Sequence, residues 1–199
     1  EANALIADLS DLPGLPGKLA GVEAEILIHN TGGPPGGPLL DETPVSLGAA
    51  FQHHVGSAQL LVQALLPGMK RAGYGRILTV LSTSVREPIE GLGASNLVRA
   101  AMASWSKTLS RELPPGITIN NLLPGFHDTN RLVELQRSLS ARTGQSAEQV
   151  HEGWLSSVPE GRLGDPADFA ELVALLCSPA GGYVRGASIV VDGGRTRSL

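Results

Sequence analysis

The chain has 199 residues, with 15 Lys+Arg against 19 Asp+Glu for a formal net charge of −4, and only 4% aromatic residues. No Lys/Arg run exceeds two residues, so the sequence lacks the basic footprint of a nucleic-acid or anionic-membrane binder, and it has few rings for stacking bases. A hydrophobic fraction of 42% supports one domain with a real core, and the single Cys177 rules out an internal disulfide. With no secretory signal and no apolar run of about 18 residues, the expected setting is cytoplasmic and the expected partner a small molecule.

The elements follow in chain order. An apolar run at 4–7 is predicted as a strand closed by Asp8-Leu9, and a second strand at 25–29 ends in HNTG (29–32). The loop TGGPPGGP (31–38) has three prolines to break any helix, and Gly32 and Gly33 leave room for a ligand to approach the backbone. A long helix is predicted over 44–72, carrying His53, His54 and Gly56. The strand at 76–81 ends on Ser82. The helix at 94–113 places Ser95 and Arg99 at i and i+4, hence on one face. A strand at 118–122 runs into PGFHDT (124–129), followed by one or two helices over 129–157. Asp165-Pro166, an N-cap with proline at the first helical position, opens a helix over 166–176, and a last strand lies at 188–191. Short apolar strands alternating with longer helical segments predict an α/β fold: a doubly wound parallel sheet between two helical layers.

Four motifs share one frame: HNTG at 29–32; Ser82 followed by the Ser95/Arg99 pair; Asn120 with Pro124, Gly125 and Thr129; and the tail GRLGDPADFAELVALLCSPAGGYVRGASIVVDGG at 161–194. Together they resemble the short-chain dehydrogenase/reductase family, in a divergent form similar to 3-oxoacyl-acyl-carrier-protein reductases. Ser95 stands where that family has the tyrosine of Y-x-x-x-K, and Arg99 where it has the lysine. The resemblance covers about Ala4 to Gly194 and implies a Rossmann-like fold, an NAD or NADP cofactor, and a homodimer or homotetramer. It also implies that the family's first two strand–helix units, with the T-G-x-x-x-G-x-G phosphate loop, would precede Glu1. The 199 residues are accordingly read as the single-domain remainder of a longer protein.

The resemblance further assigns Asp8 and Leu9 to the adenine, Asn30 and Gly32 to the adenine ribose, and Arg99 to the ribose hydroxyls. Pro124, Gly125 and Thr129 are assigned to the nicotinamide carboxamide and pyrophosphate. His53 falls at the family's asparagine in N-x-x-G, a water-holding position, and Ser82 at the serine that hydrogen-bonds the substrate oxygen. Each has a plainer reading: Asp8 as a turn former, Ser82 as a cap for the next turn, His53 as a solvated helix residue. No spacing of His, Cys, Asp or Glu suggests a metal site.

The chemistry is the open question. A phenol of pKa about 10 is lowered by an adjacent ammonium and then acts as an acid, whereas a serine hydroxyl is far less acidic and one ring shorter. Arg99 holds charge but does not shuttle protons as lysine does. The candidate proton sources are His127, Tyr183, the Arg86-Glu87 pair and His53, with His127 first because its loop follows a strand end and imidazole titrates near neutrality. Leu132, Leu135, Leu139, Val150 and Trp154 recur at helical intervals, as in a lid over an apolar substrate or in ordinary core. The expected activity is oxidoreduction of a ketone or secondary alcohol. The alternatives are a catalytically impaired dinucleotide-binding or assembly protein, or a non-redox lyase or isomerase.

Overall fold

A computed structural model of the chain describes residues 3–198. Four parallel strands, β1 (Ile26–His29), β2 (Gly75–Val80), β3 (Ile117–Pro124) and β4 (Ser188–Val191), form one sheet in the order β1-β2-β3-β4. The helices are α1 (Leu15–Leu19), α2 (Pro44–Phe51), α3 (Ser57–Ala72), α4 (Gly93–Glu112), α5 (Asn130–Thr143), α6 (Ala147–Ser157) and α7 (Pro166–Cys177). The two-residue period of the strands sorts the core into layers. Ile77, Ile117 and Ile119 face Val62, Leu65 and Met69 of α3 and Leu109 of α4, while Leu78, Leu122 and Ile189 face Leu172, Val173 and Leu176 of α7. The result is the three-layer Rossmann-like sandwich the sequence predicts.

Local chemistry places the helix starts. Thr43 and Ser46 form a reciprocal capping box with Pro44 in the first turn of α2. Asp165 accepts from the Ala167 N–H at 2.8 Å ahead of α7. The far end of α4 is closed by Arg185, which donates to the carbonyls of Ser110, Leu113 and Pro114. These are carbonyls that a helix end leaves without partners, and a cation suits them. Within the sheet, Asn120 donates to the Val184 carbonyl at 2.8 Å and accepts from the Ala187 N–H at 3.0 Å, tying the approach of β4 to β3.

Two expectations are corrected. The run at 4–7 is not a strand: it joins no ladder, and Leu5 and Ile6 are 54% and 88% exposed. An apolar tetrapeptide becomes a strand only when a sheet edge satisfies its N–H and C=O groups, and this one is not laid along β1. The helix expected over 44–72 is broken into α2 and α3 by a π-helical turn at Gln52–Gly56. The short α1, which packs on α3, has no counterpart in the expected elements.

Leu78 is fully buried at the centre of the α7-facing layer. Leu78→Ala is expected to lower unfolding free energy by roughly 2–5 kcal/mol, readable as a lower urea midpoint with an unchanged slope.

Candidate active site

A cleft of about 480 Å³ opens at the carboxyl ends of β1, β2 and β3, the place where doubly wound sheets bind ligands. Its walls are the 30–34 loop, the segment 80–83 after β2, Ile89 and Leu92, the first turns of α4, the 124–129 loop and the start of α5, with Phe169 and Arg195 closing one side. Of the residues singled out from the sequence, Ser82, Ser95, Arg99, His127, Asn30, Gly32, Pro124, Gly125 and Thr129 all line it. Asp8 and Leu9 do not. Asp8 instead accepts from the Ser10 N–H at 2.8 Å and the Ser10 hydroxyl at 2.7 Å, the bonding of a turn former, and these bonds hold its carboxyl below the usual range.

The floor of the cleft is organised by Arg99. Its Nε donates to Ser95 Oγ at 3.2 Å, and its Nη1 donates to the carbonyls of Leu81 at 2.7 Å and Val80 at 3.3 Å. One turn of helix thus brings serine and arginine together and fastens both to the end of β2. Burial, and secondarily the charge of Arg131, pulls the Arg99 pKa down to about 10, which leaves the guanidinium charged at neutral pH. Ser82 lies just beyond β2 with an extended backbone and accepts from the Ser84 N–H at 3.0 Å. That is its capping role, performed while it also faces the cleft.

Behind Arg99 lies a layer of histidines. His29 Nε2 is 3.3 Å from Ser57 Oγ, and His54 Nδ1 is 2.8 Å from Thr31 Oγ1. Both rings are buried. Burial, together with neighbouring positive charge from His53 and Arg99, lowers both pKa values to about 4. His54 Nε2 is buried with no protein partner among the described residues. The sequence pointed to His53, but it is His54 that is buried and hydrogen-bonded to the HNTG loop, while His53 stays partly exposed and meets it edge-on. Nothing local separates two adjacent histidines. Both lie in the π turn Gln52–Gly56.

His127 packs edge-on against Phe169 and lies against Gly164, with Nδ1 3.4 Å from the Gly125 carbonyl. Gly125 is required by its neighbour, since a Cβ there would stand 2.5 Å from Cβ of Asp192. Thr129 caps α5 by accepting from the Leu132 N–H. Of the other acid candidates, Tyr183 is fully exposed and Glu87 accepts from the Arg197 and Ser198 N–H groups; neither lines the cleft. The 132–154 stripe gathers into one small core with Phe126, of which Leu132, Leu135 and Phe126 also border the cleft. Arg131 and Arg195 also line the cleft, and neither belongs to a motif of the frame.

Residues 21–196 match the protein family described as enoyl-(acyl carrier protein) reductase. An uncharacterized oxidoreductase of Mycobacterium tuberculosis is 30% identical over 98% of this chain and 73% of its own length. The 2,3-dihydroxy-2,3-dihydro-p-cumate dehydrogenase of Pseudomonas putida is 30% identical over 96% and 73%. The chain belongs to the short-chain dehydrogenase/reductase family. Among solved structures, L-sorbose reductase from Gluconobacter frateurii, complexed with NADPH and L-sorbose, superposes with a TM-score of 0.88 at 24% identity over 98% of this chain and 77% of that one. An NADPH-dependent reductase involved in bacilysin biosynthesis gives 0.87 at 26% identity over 97% and 77%. Membership accounts for the shared frame. Within it, this short-chain dehydrogenase/reductase carries Ser95 and Arg99 as the helix pair facing the cleft. Among the described residues there is no group of three or more His, Cys, Asp or Glu placed to hold a metal, and no helix long and apolar enough to cross a membrane.

The histidine layer makes a pH prediction. The two imidazoles titrate near 6.5 when exposed and near 4 in the fold, so between those values the unfolded chain binds more protons. Stability from this source is complete above about 6.5 and is lost as pH falls towards 4. Urea midpoints measured across that window are expected to drop in the wild type and to drop less in a His29→Asn/His54→Asn variant.

Proposed function

We propose that this protein is an NAD(P)(H)-dependent oxidoreductase interconverting a ketone and a secondary alcohol. The observation that carries the reading is the convergence of Ser82, the Ser95–Arg99 pair and the 124–129 loop on one cleft at the strand ends. The residues present suit a dinucleotide: Gly32 has open space where a Cβ would stand, and the Arg99 guanidinium is charged and faces the cleft. Asn30, Gly32 and Arg99 would hold the ribose side, and Pro124, Gly125 and Thr129 the nicotinamide side. Asp8 and Leu9 are assigned to the adenine by the family resemblance alone. The cofactor, when bound, supplies or accepts the hydride.

The protein's own residues then have distinct tasks. Ser95 Oγ accepts from Arg99 Nε, so its own proton is left to donate to a substrate oxygen. Ser82 provides a second hydroxyl to the same cleft. Arg99 stabilises negative charge as it develops on that oxygen, but neither serine nor arginine releases a proton readily near neutrality. We assign the proton transfer to His127, which lines the same cleft. The lining of Ile89, Leu92, Leu132, Leu135 and Phe169 favours an apolar substrate body. Phe51 and Leu97, 46% and 42% exposed on α2 and α4, offer apolar surface for the homodimer or homotetramer we propose, and a longer protein supplying the preceding strand–helix units belongs to the same reading.

The test is NADPH and NADH oxidation with a panel of simple ketones by the full-length protein. Wild type is expected to turn over, and His127→Gln to lower kcat roughly 100-fold or more with cofactor affinity retained. An unchanged kcat would remove His127 from the mechanism. Cofactor binding without turnover, with activity created by Ser95→Tyr/Arg99→Lys, would establish the non-catalytic dinucleotide-binding alternative.

A further inference from the structure

Residues 192–198, which follow β4, are tied back to the loop that carries Ser82. Asp192 accepts from the Gly194 N–H at 3.0 Å and from the Thr196 N–H at 2.7 Å, and Gly193 and Gly194 make the turn with φ of 64° and 84°. The turn packs on the residues after α6: the Glu160 N–H donates to the Gly193 carbonyl at 3.2 Å, and a Cβ on Gly193 would stand 2.7 Å from Val158 Cγ1. Further on, Glu87 Oε1 accepts from the Arg197 N–H at 2.8 Å and the Ser198 N–H at 2.6 Å. These bonds, that from Ser198 foremost, hold the Glu87 carboxyl below its usual range, so the acceptor is ionised at neutral pH. Two carboxylates, one at the end of β4 and one in the loop after β2, thus clasp the segment.

Between the clasps sits Arg195. Its Nη1 donates to Thr83 Oγ1 at 3.4 Å, next to Ser82, and its guanidinium carbon lies 4.6 Å from the centre of the Phe126 ring, a cation–π contact. Phe126 also stacks on Trp154 of α6, with 5.1 Å between ring centres. The Arg195 Nε is buried without a protein acceptor among the described residues. A buried donor with no partner is unfavourable in itself, so the clasps on either side hold the guanidinium in place as much as its own contacts do.

We propose that Arg195 is a specificity-determining residue: seated by Asp192 and Glu87 between Thr83 and Phe126, it closes the Ser82 side of the cleft and limits the length of the ligand body that fits there. The walls at Ile89, Leu92, Leu132, Leu135 and Phe169 are apolar and accept an extended hydrocarbon chain. A chain that reaches Arg195 meets a cation it cannot solvate, and it must stop short or push the guanidinium off Phe126 and Thr83. That displacement loosens the segment from Glu87, because the first N–H that Glu87 holds is only two residues further on. Glu87 itself does not line the cleft and acts through Arg195, as a positioning residue. The proposal rests on the oxidoreductase reading only for the reacting group of the ligand.

The test uses the full-length protein and two straight-chain methyl ketones, butanone and methyl hexyl ketone. Dissociation constants are read from tryptophan fluorescence, to which Trp154 beside Phe126 responds, and kcat/KM from NADPH oxidation. Wild type, Arg195→Ala, Glu87→Ala and Glu87→Gln are compared, with circular dichroism to verify that the variants are folded. In both alanine variants the preference for methyl hexyl ketone over butanone, in binding and in kcat/KM, is expected to rise roughly tenfold or more. Glu87→Gln, whose amide oxygen still accepts both N–H groups, is expected to keep the wild-type ratio. A general loosening of the fold would weaken both ketones together, and an unchanged ratio in the two alanine variants would overturn the proposal. Absence of turnover in wild type would overturn the oxidoreductase reading, and the binding ratios would still decide the length limit.

Discussion

The guanidinium of Arg99 bridges the first turns of α4 and the end of β2, donating on one side to Ser95 and on the other to the Val80 and Leu81 carbonyls. A helix packed on a sheet by apolar contacts alone can slide or rotate by a fraction of a turn without losing much buried area. A forked cation seated on two successive strand carbonyls removes that freedom, because a shift would leave both acceptors and a buried charge without partners. The position of Ser95 against the end of β2 follows from this attachment.

A second buried polar layer supports the first. His29 at the end of β1 meets Ser57, and His54 meets Thr31 in the loop that roofs the cleft. His54 lies within the π turn at Gln52–Gly56 and is buried there. These imidazoles are kept neutral by burial and by the positive charge nearby, so they stiffen the cleft wall without adding charge to it. Among the described residues, Arg99, Arg131 and Arg195 line the cleft and no carboxylate does.

The chemistry differs from that of a tyrosine–lysine pair in a definite way. A phenol beside an ammonium can both hold and release a proton, while a serine beside a guanidinium can only hold and orient. Catalysis on this frame needs a proton source elsewhere on the rim, a task we propose for His127, which lines the cleft.

The sequence by itself determined the α/β layering and many of the residues that line the cleft. Strand alternation, the Asp165-Pro166 start, the Ser82/Ser95/Arg99 spacing and the 120–129 motif are local or short-range patterns, and each is recognisable because one backbone geometry underlies it. The expected strand at 4–7 failed because ladder formation depends on an available edge, which a run of four apolar residues cannot specify. The burial of His54 rather than His53 and the capping of α4 by Arg185 were decided only by tertiary structure. In each case the partners lie more than twenty residues apart, and the direction of a side chain then follows from the packing of whole elements rather than from its neighbours in the chain.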